Sequence, residues 1–193
     1  MNAHRVIVCT GAKGGQGTTT VATAIALTLA THGPTVLVDT PGDALAALGH
    51  PDTRRRPAAR DRIAEPVAVT ANLAVVVVNA ERADLATRIT ELRDTADVVI
   101  DAGTTPPPVT EAERVLVVRN CYLALRRAVS GPPADRVALV VEPHRALGVR
   151  DATDVLGHQP ITTIATIPPS PGRLTPDSSP CECPAHSPAP SPT

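Results

Sequence analysis

The sequence predicts an α/β domain with a mainly parallel sheet covered by helices on both faces, and three observations carry that expectation. The strand-like runs are nearly solid Val, Ile and Leu rather than alternating, as happens when helices cover both sides of a sheet. These runs alternate with helix-like stretches along 193 residues, a length that can bury a sizeable core within one domain. The first run is joined to the first helix by the most glycine-dense stretch of the chain, Gly11-Ala12-Lys13-Gly14-Gly15-Gln16-Gly17-Thr18-Thr19-Thr20.

The elements follow in order. Arg5-Val6-Ile7-Val8-Cys9-Thr10 is short, apolar and β-branched, and reads as a buried strand. Val21 to Ala30 is dense in Ala and Leu without Gly or Pro, and His32-Gly33-Pro34 ends it as a helix. Thr35-Val36-Leu37-Val38-Asp39 is a second strand, and Asp97-Val98-Val99-Ile100-Asp101 is another. Further strands are expected at Asn72–Val78, Arg114–Arg119, Arg136–Val141 and Ile161–Ile167, with helices at Asp43–Leu48, Arg82–Asp94, Tyr122–Val129 and Val149–Leu156. Residues 1–167 form the expected domain, interrupted by an exposed Arg/Pro-rich connection at about 50–66. Residues 168–193, rich in Pro and Ser, are expected to be a disordered tail.

Lys13 is the only lysine among 18 basic Lys and Arg residues, and it lies inside the glycine loop. A compact ammonium on a flexible stem suits a phosphate site where the wide guanidinium fork does not. Glycines let the backbone curl so that successive N–H groups aim at one anion. A strand, a glycine loop and a helix together place that anion at a helix N-terminus, where free N–H groups and the dipole favour negative charge.

These letters resemble the deviant Walker A motif of the ParA/MinD family of P-loop ATPases, K-G-G-x-G-K-[ST]. The resemblance makes the loop from Gly11 to Thr20 the nucleotide cradle and implies ATP with Mg2+ as cofactors. Lys13 takes the place of the family's signature lysine, which reaches the partner's phosphates across a nucleotide-sandwich dimer. Gly14, Gly15 and Gly17 match its glycines, and Thr19 matches the magnesium-binding hydroxyl. Two positions depart from the pattern. Ala12 stands where the first glycine usually sits, and Thr18 stands where the ordinary P-loop lysine should be. The second departure removes a charge-assisted phosphate contact worth roughly 1.5–3 kcal/mol, or about 10- to 150-fold in affinity.

The resemblance extends to three acids. Asp101 corresponds to the Walker B aspartate, which orders the magnesium shell from the end of a core strand. Asp39 falls at the first switch, near the γ-phosphate and the metal. The plainer alternative for each is a strand-ending Asp that caps the following turn. Relatives carry a second acid two residues after the first, to orient the attacking water; here that position is Pro41, and Asp43 follows. Asp43 is a candidate for that catalytic role and equally for capping the next helix. Lys13, Asp39 and Asp43 are therefore the candidate catalytic residues, with Thr19, Asp39 and Asp101 as candidate metal ligands. The resemblance places base recognition at Val141-Glu142-Pro143-His144-Arg145, where relatives carry an Asn; Glu142 is a candidate to accept from an adenine amino group and Arg145 a candidate to stack on the ring, and the choice of adenine rests on the resemblance.

Other features narrow the partners. The chain has one Tyr, no Phe and no Trp, so an aromatic base-stacking platform has almost nothing to be built from. The run Arg54-Arg55-Arg56 with Arg60 and Arg62 is a candidate nucleic-acid patch, but the net charge of −1 leaves DNA binding without a supporting basic field. Cys9 reads as a small buried apolar residue and Cys121 as partly exposed. Cys181, Cys183 and His186 have a faint metal-ligand look but lack a fourth ligand nearby. No apolar run reaches membrane-spanning length, no leader precedes the first strand, and cytoplasmic residence with no membrane contact is expected.

The function expected from the resemblance is a nucleotide-dependent dimerising switch, with a homodimer and an unidentified protein partner, in partitioning or positioning of cellular cargo. Hydrolysis should be weak or absent, given Thr18 and Pro41. Two rivals stand beside it: a non-hydrolysing scaffold acting through protein contacts, and an ATP-dependent amide-forming synthetase of the cobyrinate/dethiobiotin type. The synthetases keep the lysine missing at Thr18 and lack one at Lys13.

Overall fold

A computed structural model describes residues 4–50, 65–78, 85–157 and 161–165. Its strands are β1 (Val6–Gly11), β2 (Thr35–Asp39), β3 (Val67–Ala68), β4 (Leu73–Val77), β5 (Asp97–Asp101), β6 (Glu113–Arg119), β7 (Arg136–Val141) and β8 (Ile161–Ala165). The helices are α1 (Thr18–Ala30), α2 (Ala44–Ala47), α3 (Leu85–Arg93), α4 (Tyr122–Ser130) and α5 (Val149–Leu156). The eight strands form one sheet in the order β3-β4-β2-β5-β1-β6-β7-β8. Every neighbouring pair is parallel except β3–β4.

The aliphatic strands lie where their composition requires, buried on both faces. On one face Ile7, Cys9, Leu37, Val75, Val99, Val117 and Val140 pack with α1 and α2. On the other, Val6, Val8, Val38, Val98 and Ile100 meet Leu85 and Ile89 of α3, and Val118, Val137 and Leu139 meet Ala124 and Leu125 of α4 and Ala152 of α5. Leu37, Ile100 and Leu139 are fully buried, each worth about 1.5–3 kcal/mol relative to exposure. Thr18, Ala22, Ala26 and Ala30 form a buried i, i+4 ridge of small side chains on α1. With no bulk on that ridge, α1 lies close over β5, β2 and β1.

Chain order then sets the site. From β1 the chain crosses to β2 on one side, and from β5 it jumps β1 to reach β6 on the other. A reversal of this kind opens a crevice at the C-terminal ends of the strands, and the glycine loop leaves β1 there. The expected elements are all present, with ends moved by a few residues. The two-residue antiparallel β3 was not anticipated; it closes the sheet edge beside β4 and is too short to carry a period. Residues 51–64, the tail 168–193 and the candidate groups in them (Arg54, Arg55, Arg56, Arg60, Arg62, Cys181, Cys183 and His186) lie outside the described residues. So do 82–84 of the third expected helix and 166–167 of the last expected strand.

Candidate functional site

The glycine loop is tied to the sheet at its start. Gly11 N–H donates to Gly103 O at 2.7 Å and Ala12 N–H to Val117 O at 3.1 Å. Gly11 has no room for a side chain, because a Cβ there would meet the Thr18 hydroxyl oxygen at 2.5 Å and Lys13 O at 3.0 Å. Gly17 (φ +89°) turns the chain into α1 through the left-handed region that favours glycine. Gly17 is the N-cap residue, so no side chain caps α1, and its first turn carries no acid. The leading N–H groups of this 13-residue helix are thus left for an external anion.

Lys13 is half-buried, and its Nζ donates to Gly14 O at 3.3 Å within its own chain. Gln16 is buried: Oε1 accepts Arg119 N–H at 2.9 Å and Nε2 donates to Gly14 O at 3.4 Å. Thr18 is buried, Thr19 half-buried and Thr20 exposed along the first turn of α1. The position that the resemblance assigns to a lysine therefore holds a short hydroxyl turned toward Gly11.

Asp39 and Asp101 end the neighbouring strands β2 and β5 in register and are both fully buried. Asp39 gives both oxygens to the backbone, accepting from Gly42 N–H and from Ala44 N–H at 2.8 Å each. Burial holds its pKa above the usual carboxylate range against those two hydrogen bonds, and the charges of Asp101 and Asp43 push the same way. Asp101 Oδ1 accepts from Gly103 N–H at 3.1 Å, whereas its Oδ2 is buried without a hydrogen-bond partner among the described residues. Asp43 is exposed and makes no side-chain cap to α2; Asp39 bonds the first N–H of that helix instead.

These atoms bear unequally on magnesium. An unsatisfied buried carboxylate oxygen needs a donor, and water in a metal's shell is one, so Asp101 fits the supporting acid. Thr19 fits the hydroxyl ligand by its place in the first turn of α1. Asp39 fits less well, since both oxygens are already engaged. Among the described residues no three His, Cys, Asp or Glu side chains gather to hold a metal by themselves. A P-loop magnesium asks for fewer protein ligands than that, because phosphates and water complete its shell.

At the ends of β6 and β7, Glu142 is held between two guanidinium groups, by Arg119 Nη1 and by Arg145 Nη2, each at 2.5 Å. The hydrogen bond from Arg145, with help from Arg119, lowers its pKa. Its oxygens are thus engaged by arginines, and the expected contact with an adenine amino group would have to share them. Sequence reasoning passed over Asn120. It is buried, donates through Nδ2 to Glu142 O at 3.1 Å and Leu147 O at 2.9 Å, and accepts Glu142 N–H at 2.9 Å. The only signal for it was an amide directly after an aliphatic strand. Cys9 is buried with its thiol pushed up to about 12, mainly by burial, so it is an apolar core residue. Cys121 is half-buried and unpaired.

No family model and no curated protein matches the chain. Solved structures do. The chain is similar to MinD of Aquifex aeolicus (19% identity, TM-score 0.61, covering 85% of this chain and 83% of that one). A ParA family ATPase from Chlorobium tepidum matches at 17% identity and TM-score 0.59, covering 84% of both chains. A McdA variant of Cyanothece in complex with ATP matches at 12% identity and TM-score 0.63, covering 86% and 84%. The chain thus has a P-loop NTPase fold, and within that class the fold is ParA/MinD-like. Among the described residues no helix is long and apolar enough to cross a membrane.

Proposed function

We propose that the chain is a ParA/MinD-type switch that binds ATP with magnesium in the loop Gly11–Thr20 and pairs two copies through the bound nucleotide. The observation that carries this reading is the bare N-terminus of α1, opened by Gly17 with no side-chain cap and no acid in its first turn. A helix of this length with a free N-terminus at a sheet crevice is an anion site. Asp101, with one buried oxygen unsatisfied, supplies the place for a metal shell beside it. The ATP carried by the McdA neighbour supports the choice of nucleotide. A role in partitioning or positioning of cargo, and cytoplasmic residence, follow the same likeness.

Slow or absent hydrolysis belongs to the proposal. The loop lacks an ammonium at Thr18, and Asp39 spends its carboxylate on the turn Gly42–Ala44 rather than on a water. Those two observations favour the second reading, a scaffold that keeps nucleotide bound and acts through protein contacts. Titration of the wild-type chain with ATP and ADP, with and without magnesium, tests the first step. Light scattering with a slowly hydrolysed ATP analogue tests the second: Lys13→Ala should abolish nucleotide-dependent pairing while leaving the monomer folded. A dimer fraction unchanged in that variant would remove Lys13 from the interface chemistry.

A further inference from the structure

Gln16 is 2% exposed although Gly14 and Gly15 beside it are open to solvent. Its amide joins two places far apart in sequence, Arg119 N–H and Gly14 O. The ladder explains why an acceptor is needed at Arg119. β1 and β6 run side by side until Gly11 lies opposite Val117, and Ala12 N–H makes the last rung to Val117 O. Past that point β1 leaves the sheet as the glycine loop. Residues two apart on a strand turn their N–H groups to the same neighbour, so Arg119 N–H faces the place that β1 has left. Asn120 N–H turns the other way, to Val140 O at 3.3 Å. The Gln16 side-chain carbonyl occupies the position of the missing backbone acceptor.

We propose that Gln16 is a positioning residue for the nucleotide: its amide extends the β1–β6 ladder by one rung and ties the loop apex at Gly14 to the sheet. The inference rests on the loop being a nucleotide site. An apolar side chain could fill the same volume, but it would leave Arg119 N–H without an acceptor and Gly14 O held by the Lys13 ammonium alone. A loop that is already shaped spends less binding energy on ordering when the anion arrives. Thr18 raises that demand, because a loop without the ordinary P-loop lysine relies more on the aim of its N–H groups.

The test uses the full chain with Gln16→Met, which keeps length but loses both hydrogen-bonding ends, and Gln16→Glu, which keeps the acceptor and loses the donor. Calorimetric titration with magnesium–ATP is made at a temperature where all three proteins are fully folded. Amide hydrogen exchange is followed without nucleotide. Gln16→Met should bind ATP about 10-fold more weakly, with faster exchange at Arg119 and across Gly14–Gly17. Gln16→Glu should retain protection at Arg119 yet lose affinity, through its charge and the lost donor to Gly14. Wild-type affinity in a folded Gln16→Met would overturn the inference and leave Gln16 a packing residue. A wild-type chain that binds no ATP would instead overturn the nucleotide reading, and the exchange measurement would still decide whether Gln16 holds the loop.

Discussion

Asp39 and Asp101 are register partners at the ends of β2 and β5, both fully buried, yet they spend their carboxylates differently. Asp39 has each oxygen bonded to a backbone N–H, of Gly42 and of Ala44, which folds the turn after β2 around it. Asp101 keeps one buried oxygen without a hydrogen-bond partner among the described residues. The two acids hold matching places at adjacent strand ends yet make different hydrogen bonds, so substitutions at them should read out different properties.

At Asp101, replacement by Asn keeps the size and an oxygen for Gly103 N–H but removes the charge that supports a metal shell. Asp101→Asn should weaken ATP binding in the presence of magnesium by about 10-fold or more and change little in its absence. Parallel titrations with and without the metal check this. Equal effects in both would take the acid out of the metal shell.

Asp39 should appear in the pH dependence of stability. Its carboxyl is held above the usual range by burial, so the native state binds that proton more tightly than the unfolded chain. Its contribution is therefore full below the ordinary carboxylate pKa of roughly 3.9 and is lost as pH rises through the raised native value. Urea unfolding across the mildly acidic range should show that decline, and Asp39→Asn should flatten it. The same variant should lose about 1 kcal/mol overall, since an amide can accept from only one of the two N–H groups. An unaltered slope would assign the titration to another group.

Thr18→Lys restores the usual P-loop charge. Nucleotide affinity should rise about 10-fold or more from the regained phosphate contact. Calorimetry on both forms measures it. No gain would indicate that Lys13, already folded over Gly14 O in its own chain, supplies that contact.

Asn120 makes three hydrogen bonds in a buried position, closing the loop after β7 onto the end of β6. Asn120→Ala strands two carbonyls and one N–H away from their partner, and should cost about 2–4 kcal/mol of stability. Chemical denaturation would measure that loss, and a change below about 0.5 kcal/mol would mean that water replaces the amide at no net cost.

Much of the architecture was determined by sequence alone. The aliphatic runs ending in Asp39 and Asp101 are β2 and β5 to the residue, because β-branched segments this short, bounded by turn signals, are too short for a buried helix. The glycine loop and its single lysine could likewise be placed between β1 and α1, since that arrangement is local. Tertiary structure decided what was not local. Which of two identical strand-ending acids has both oxygens hydrogen-bonded depends on how the following turn folds back, and nothing in the letters of Asp39-Thr40-Pro41-Gly42-Asp43 favoured Asp39 over Asp43 as the helix's bonding partner. Gln16 looked like a loop residue among glycines until β6 was set beside β1, which put Arg119 N–H within 2.9 Å of a side chain 103 positions earlier. Hydrogen-bond partners of that kind are fixed by strand order, and strand order comes from packing the whole sheet.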